Sequence, residues 1–413
     1  MGQGIVLHSD LNCFYASVEM NENPKLRNQK VAVCGSTENR HGIVLTASYP
    51  AKRAGVKTGM ANWEAREACT GLICVEPHYD MYVKYSQMVR KIYHRYAKDV
   101  EPFGMDECWL SVPYTDDVDG DGYRIADEIR NLIHEETGLT ASVGVSFSKI
   151  FAKLGSDMKK PDAVTALGRG NYQERVWPLP VSDLLYVGRA TTKKLALLNI
   201  TTIGALANTD PELLRRKFGV NGIMLWRFAR GEDGSSVMPS EYVSPIKSVG
   251  HGTTCIRDLN NNYEVWKVLY ELAQDVSHRL RMHGLKAHGV RLFIRDNELS
   301  GRICQAQLKY PTQSPLELAQ LAYDLFRCRY YWEKPVRALT ISAINVGINE
   351  IPEQIDMFGD YLKRHKRAAV DDAVDQIRQR YGVASVRAAS LQGDMLLADD
   401  RCETVEMPSV MYR

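Results

Sequence analysis

The 413-residue sequence has no uninterrupted apolar run long enough to cross a membrane. Its nine cysteines are scattered along the chain and form no Cys-x-x-Cys pair. Scattered, unpaired cysteines argue against a zinc site and for a reducing compartment, so we expect a cytoplasmic protein. The first residues also lack a basic stretch followed by a long apolar one, and we therefore expect neither secretion nor membrane association.

A strong net charge is missing too, because 52 Lys and Arg balance 50 Asp and Glu. The balance is nevertheless uneven along the chain. Residues 169–231 carry ten basic and four acidic side chains, and residues 245–350 carry fourteen and ten. This excess is typical of a surface that binds a polyanion, although a solvated basic face gives the same count. The length itself predicts two to four domains.

Two adjacent carboxylates, Asp106 and Glu107, interrupt a turn that leads into an apolar strand. Two carboxylates ~4 Å apart repel by roughly 4 kcal/mol at an effective dielectric of ~20. A divalent cation such as Mg²⁺ would relieve this repulsion, although a charged turn is the simpler reading of the pair alone. Asp10 follows the short strand 5–7 and could join the pair if the two strands are neighbours. The alternative for Asp10 is a helix N-cap.

Three further segments suggest contacts with phosphate or DNA. Residues 47–60 interleave Tyr49 with basic side chains, and Lys160 ends a helix beside Pro161. Both patterns suit phosphate binding, but a solvated basic helix and a C-terminal helix lysine explain them equally well. Residues 184–206 read as a helix-hairpin-helix, whose turn amides contact a DNA backbone, or as an ordinary helical hairpin.

The C-terminal half has its own organisation. Residues 232–245 are rich in Ser, Pro and acidic residues and predict an interdomain linker. Residues 248–346 then alternate as β-α-β-β-α-β, a ferredoxin-like unit. Beyond it, the balanced charge of residues 359–413 indicates a partner-dependent or partly disordered segment rather than another DNA-binding domain.

Together, these segments resemble the Y-family DNA polymerases of the DinB and UmuC type over roughly residues 4–350. The resemblance rests on the segments HSDLNCFYASVE, TASYPAKRAGVKTGM, GMDECWLSV, VGVSFSKIFAKLGSDMKKP and KSVGHGTT. It implies an α+β multidomain protein with a ferredoxin-like palm, small fingers, a helical thumb with a helix-hairpin-helix, and a β-α-β-β-α-β little finger. The implied domains are palm 1–12 and 78–168, fingers 13–77, thumb 169–231, linker 232–245, little finger 246–350 and tail 351–413.

The resemblance also implies roles for individual residues. The catalytic, metal-binding residues are Asp10, Asp106 and Glu107, which with the Leu11 carbonyl would hold two Mg²⁺ ions. The nucleotide-binding residues are Thr46, Tyr49, Lys52, Arg53 and Lys160. Tyr15 would be the steric gate, a ring that excludes ribonucleotides by clashing with a 2′-hydroxyl. The DNA-binding residues of the thumb are Val187, Gly188 and Lys193. The peptide for docking to a sliding clamp comprises Gln354, Ile355, Met357 and Phe358.

The expected activity is therefore template-directed, low-fidelity DNA synthesis across damaged bases by a monomer. Its substrates would be primer-template DNA and deoxynucleoside triphosphates. The main alternative is a catalytically silent relative that recruits partners to damaged DNA, but such a protein would be free to lose its three acids. A nucleotidyl cyclase with a similar palm is disfavoured by the helix-hairpin-helix and the second ferredoxin-like unit. Lys52, where many members of the family have Arg, leaves the main triphosphate cation open between Lys52 and Arg53.

Overall fold

The computed structural model describes residues 4–36, 40, 42–348 and 361–391. The predicted clamp-docking peptide, Gln354 to Phe358, lies outside these ranges. None of the helices within them is long and apolar enough to cross a membrane. The chain forms two compact units, the first comprising the described parts of 1–35 and 43–244, and the second those of 36–42 and 245–403.

The first unit contains two sheets and a set of helices. Its strands are β1 (Ile5–Leu11), β2 (Val31–Cys34), β3 (Val44–Ala47), β4 (Ile73–Val75), β5 (Val100–Pro102), β6 (Glu107–Val112), β7 (Ala141–Ser146) and β8 (Val164–Leu167). Its helices are α1 (Phe14–Glu22), α2 (Tyr49–Arg53), α3 (Asn62–Ala68), α4 (Tyr79–Tyr93), α5 (Tyr123–Thr137), α6 (Lys149–Met158), α7 (Tyr172–Val176), α8 (Arg189–Ala196), α9 (Ile203–Ala207), α10 (Pro211–Phe218) and α11 (Val220–Ala229).

The larger sheet of this unit has the strand order β5-β6-β1-β7-β8, with β1 antiparallel to both neighbours. Apolar residues of β1, β6 and β7 pack with α4 and α5 in one core, which includes Leu7, Leu110 and Ile129. Helix α6 also packs on this sheet, and it lies very close to β7. A Cβ on Gly144 would overlap the carbonyl oxygen of Ala152, so glycine is required for this approach.

The smaller sheet has the order β3-β2-β4 and a core of its own around Ala32 and Val44. Helices α7 to α11 enclose a third core with apolar residues of α6, including Phe151 and Leu206.

Part of the predicted linker is docked on the larger sheet. The Met238 amide donates a hydrogen bond to Glu101 Oε2 at 2.9 Å. The Ser240 hydroxyl donates to the Lys98 carbonyl at 2.8 Å and accepts from the Val100 amide at 3.1 Å. A Ser- and Pro-rich composition indicates an irregular segment, but it does not reveal that a buried acceptor holds that segment in place.

The second unit confirms the predicted β-α-β-β-α-β order. Its elements are β9 (Ser248–Leu259), α12 (Asn262–Met282), β10 (Leu285–Asp296), β11 (Gly301–Thr312), α13 (Pro315–Arg329), β12 (Val336–Ile344), the short β13 (Gly347–Ile348) and α14 (Tyr361–Tyr381). The sheet order is β11-β10-β12-β9, and α12 and α13 pack on one of its faces around Leu272 and Phe326.

Residues 361–381, part of the tail that the sequence predicts to be partner-dependent or partly disordered, form α14 on the second unit. Asp375 accepts a hydrogen bond from Arg281 at 3.1 Å and lies 2.8 Å from His278 Nδ1. Arg378 donates to Gln274 at 2.6 Å. These partners lie about a hundred residues earlier in the chain, so the balanced charge of the tail alone could not reveal them.

Candidate active site

The three predicted acids are brought together because β1 and β6 are neighbours. Asp10 lies directly opposite Glu107 in the antiparallel register, within β1 rather than after it. The Leu11 amide donates to the Asp106 carbonyl at 3.0 Å, which fixes the turn that carries Asp106 against the end of β1. Residues almost a hundred positions apart in the sequence thus lie at the same end of two neighbouring strands, which is the condition under which the sequence predicted a common site.

Burial and neighbouring charges change the ionisation of these acids. Asp10 is buried. Burial, reinforced by the charges of Asp10 and Glu107, raises the pKa of Asp106 to about 7. Burial alone would also raise the pKa of Glu107, but His8 and Lys153 outweigh it and lower that pKa to about 2. A buried carboxyl beside other acids resists ionisation, and a bound cation would favour its charged form.

Two lysines lie against the acids. Lys153 Nζ lies 3.2 Å from Asp10 Oδ2 and 3.0 Å from Glu107 Oε2. Lys160 Nζ lies 2.8 Å from Asp10 Oδ2 and 2.8 Å from Asp157. Lys160 was predicted as a phosphate ligand, whereas Lys153 was missed. The sequence signal for Lys153 was its spacing from Asp157, because residues four positions apart lie on the same face of a helix.

The donor set fits a divalent metal ion. Carboxylates and backbone carbonyls are the ligands that Mg²⁺ prefers, and the charges of Asp10 and Glu107 add to burial in raising the pKa of Asp106. Within the described residues, no three acidic, histidine or cysteine side chains already stand in metal-binding geometry. The Lys153 ammonium lies between Asp10 and Glu107 instead, so these carboxylates and the lysine have to separate before a metal ion binds.

The predicted steric gate, Tyr15, is held by a layer of aromatic rings. Its ring stacks on Tyr82 with centroids 4.3 Å apart and planes 17° apart, and its hydroxyl donates to Met105 Sδ at 3.7 Å. Tyr82 is itself fixed, because its hydroxyl donates to the buried Glu19. Burial, with a smaller contribution from Asp106, raises the pKa of Tyr15 to about 12. Tyr82 therefore holds the ring of Tyr15, a contact that the sequence prediction of simple core packing for this helix did not include.

The predicted nucleotide-binding residues follow β3. Thr46 lies in β3 and Tyr49 is the first residue of α2. Lys52 and Arg53 are both exposed on α2, with Lys52 Nζ 5.3 Å from the Tyr49 ring centroid. Burial and then Cys13 raise the pKa of Tyr49 well above its usual value, so the hydroxyl stays protonated and can donate to phosphate.

The predicted thumb contacts lie just before α8 and on its surface. Val187 is buried, Gly188 is exposed and caps the helix, and Lys193 is exposed on its surface. The following turn leads through Ile200 to α9, which completes a helical hairpin. An exposed glycine amide at a helix start suits a phosphate contact, whereas the buried Val187 side chain supports the turn from below.

The chain matches known protein families over most of its length. The profile of the impB/mucB/samB family matches residues 9–157, and that of its C-terminal domain matches residues 246–357. The profile of the DNA polymerase-iota thumb domain matches residues 182–233. Among solved structures, a Y-family DNA polymerase chimera matches with a TM-score of 0.73 at 23% identity, covering 84% of this chain and all of the other.

Curated relatives match over nearly the whole chain. A DNA polymerase IV of Acetivibrio thermocellus is 47% identical over 390 residues, which is 94% of this chain and 98% of the relative. A DNA polymerase IV of Moorella thermoacetica is 36% identical over 390 residues, which is 94% of this chain and 96% of the relative. The fold and the acidic site thus define a nucleotidyltransferase of the polymerase type. The chain belongs to the impB/mucB/samB family, the DinB-like Y-family DNA polymerases, whose members use a divalent metal.

Proposed function

We propose that this chain is a template-directed, low-fidelity DNA polymerase that extends a primer 3′-end in translesion synthesis. The observation that carries the proposal is the pairing of Asp10 with Glu107 across β1 and β6, with Asp106 in the adjoining turn. Relatives called DNA polymerase IV over more than nine-tenths of the chain support it. The same support favours our proposed domain boundaries, with the palm carrying the acids.

The chemistry assigned to the acids is phosphoryl transfer. Two Mg²⁺ ions held by Asp10, Asp106, Glu107 and the Leu11 carbonyl would activate the primer hydroxyl and neutralise the triphosphate. The chain's own residues supply positioning and positive charge. Lys160 lies beside Asp10, at the edge where a triphosphate would meet the acids. Thr46, Tyr49, Lys52 and Arg53 would donate hydrogen bonds or charge to the phosphates, with Lys52 and Arg53 free to turn towards them from the surface.

Primer extension tests this function directly. The purified protein, Mg²⁺, deoxynucleoside triphosphates and a labelled primer on undamaged and damaged templates should give extension on both. Formation of cyclic nucleotide without DNA, or no extension under any condition, would refute the proposal. Extension that always stops opposite the lesion would retain a polymerase but remove its translesion role.

A steric-gate role predicts that Tyr15→Ala admits ribonucleotides. In the wild type, stacking on Tyr82 holds the Tyr15 ring in place. Removal of this ring would open space below the sugar of the incoming nucleotide. A single pocket contact discriminates by about 10- to 200-fold, and the ratio of ribonucleotide to deoxynucleotide incorporation should rise within that range. Single-nucleotide insertion kinetics measure this ratio. Tyr123→Ala, an exposed tyrosine at the start of α5, is the matched control. An unchanged sugar preference in Tyr15→Ala would contradict the role.

DNA contacts are assigned to the thumb and the little finger. The Gly188 amide and Lys193 are exposed at the hairpin, where they would bind backbone phosphate without reading sequence. In the second unit, exposed Arg291 and Arg295 lie on the face of β10 that is turned away from the buried Leu292 and Ile294. Such a basic sheet surface is suited to the sugar-phosphate backbone of a duplex.

The clamp-docking peptide is proposed from its sequence alone, for an enzyme that is otherwise a monomer. Changing both Gln354 and Phe358 to Ala is expected to abolish retention by an immobilised sliding clamp, because the polar and aromatic anchors are lost. Basal primer extension should remain. Asp356→Ala, within the same segment, is the matched control and should be retained. Equal retention of the double variant and the wild type would remove the docking role.

A further inference from the structure

The search outside the assigned residues leads to Asn12, a buried polar residue two positions after Asp10. The backbone of Asn12 is fixed on both sides. Its amide donates a hydrogen bond to the Thr140 carbonyl at 2.8 Å, and its carbonyl accepts one from the Ser17 hydroxyl at 2.7 Å. Neither bond uses the side chain of Asn12, which is therefore able to hold another part of the chain.

The side-chain amide of Asn12 joins the larger sheet to the loop that carries Lys160. Its Oδ1 accepts a hydrogen bond from the Asp162 backbone amide at 2.8 Å, and its Nδ2 donates one to the Ser142 hydroxyl of β7 at 3.0 Å. A backbone N–H only donates, so the atom that faces Asp162 has to be the amide oxygen. Both ends of the side chain are thus engaged, and its orientation is fixed.

The loop needs this support at Asp162. Residues 159–163 connect α6 to β8, and Asp162 has a φ of 55°, a left-handed conformation that persists in a residue other than glycine only when its surroundings hold it. Arg130 also contacts this residue, with its Nη1 2.7 Å from Asp162 Oδ1, but that ion pair is partly exposed and such pairs contribute little. The buried side chain of Asn12 is better shielded from water, which strengthens its hydrogen bond.

We propose that Asn12 is a positioning residue that, by holding the Asp162 amide, keeps Lys160 where its ammonium meets the phosphates of an incoming nucleotide. This inference rests on the proposed function, in which Lys160 binds the triphosphate. Asn12 directly follows β1, which carries Asp10, and Lys160 Nζ lies 2.8 Å from Asp10 Oδ2. One short segment therefore sets the position of the acid and of the cation beside it.

A double-mutant cycle separates the positioning of Lys160 from a general loss of packing. Its variants are Asn12→Ala, Lys160→Met and the two combined. The matched control is Asn21→Ala, because the Asn21 side chain donates to the Thr137 carbonyl at 2.8 Å, a similar tie that does not involve the loop of Lys160. The measured quantity is the dissociation constant of the correct deoxynucleoside triphosphate. It is measured with Mg²⁺ on the protein bound to a dideoxy-terminated primer, from the fluorescence of a base analogue in the template.

We expect Lys160→Met to weaken nucleotide binding by roughly 10- to 100-fold, the usual effect of losing a hydrogen bond to a charged group. Asn12→Ala should weaken it by about tenfold, because the displaced cation loses most of this contact. In the Lys160→Met background, Asn12→Ala should add less than about a factor of two. The single-turnover rate at saturating nucleotide and the affinity for DNA should change much less than the affinity for nucleotide. Asn21→Ala should bind nucleotide like the wild type.

Equal affinities of Asn12→Ala and the wild type would overturn the proposal, as would additive losses in the cycle, which would mean that Asn12 acts independently of Lys160. An unchanged affinity in Lys160→Met would overturn it too, because Lys160 would then not bind phosphate. If Asn12→Ala does not fold, Asn12→Ser replaces it under the same criteria, since its hydroxyl is polar but too short to reach the Asp162 amide. Wild type that binds the nucleotide but does not extend an unblocked primer would count against the proposed function, and not against this role of Asn12.

Discussion

Asp106→Ala is expected to reduce primer extension by at least about 1000-fold, because loss of a metal ligand removes several kcal/mol of transition-state stabilisation and each 1.36 kcal/mol is tenfold in rate. Asp106 lies in the turn fixed by the Leu11 amide, directly before Glu107, which is opposite Asp10. Its removal leaves two acids, which no longer enclose a cation. Single-turnover extension at saturating DNA and nucleotide measures the loss in the chemical step.

The loss should be specific to this carboxylate. Asp116→Ala removes an exposed acid from the loop that follows β6 and is expected to leave extension unchanged. DNA affinity in the Asp106→Ala variant should stay near wild type, since the thumb hairpin and little finger are untouched. Activity that survives Asp106→Ala would refute the metal assignment, and a parallel loss of DNA binding would point to a folding defect instead.

The elements that place the acids could be predicted from the sequence because local patterns encode them. Short apolar strands next to acidic residues placed Asp10 and Asp106 at strand ends, and alternating apolar residues gave the β-α-β-β-α-β order of residues 248–346. The acids form one site because β1 pairs with β6. The sequence prediction assumed this pairing and could not derive it. Strand neighbours are set by long-range packing, which a local pattern does not contain.

The sequence could not reveal contacts between side chains that are far apart along the chain. Lys153, His8 and Tyr82 lie on ordinary helical or strand positions, and only the folded chain shows that they contact Asp10, Glu107 and the gate. The position of helix α14 could not be predicted for the same reason. The helix buries Asp375 against His278 and Arg281 of α12, so hydrophobic periodicity gave no sign of its position.

The linker shows how composition can be right about one property and silent about another. Its irregular backbone was predicted, but its attachment depends on a buried ion pair on the larger sheet. Glu101 Oε2 accepts from Lys149 Nζ at 2.5 Å as well as from the Met238 amide. Both charged side chains are almost wholly buried, and the ammonium lies 4.5 Å from the centroid of the Trp109 ring. A segment that appears free in sequence is thus bound to a charge pair beside the catalytic strand.

Lys149→Met is therefore expected to destabilise the first unit by about 3 to 5 kcal/mol, because it leaves the Glu101 carboxylate buried without its cation. Thermal unfolding measures the loss, and faster proteolysis near Met238 should accompany it, since the Glu101 carboxylate also accepts a hydrogen bond from the Met238 amide.

The control is Lys159→Met, because Lys159 is exposed, and this variant should unfold like wild type. Lys153 on α6 cannot serve as the control because it contacts the acids. In the double variant Glu101→Gln with Lys149→Met, the loss should be smaller than the sum of the two single losses, because no unpaired charge remains. Additive losses, or a Lys149→Met protein as stable as wild type, would show that the pair does not hold the linker.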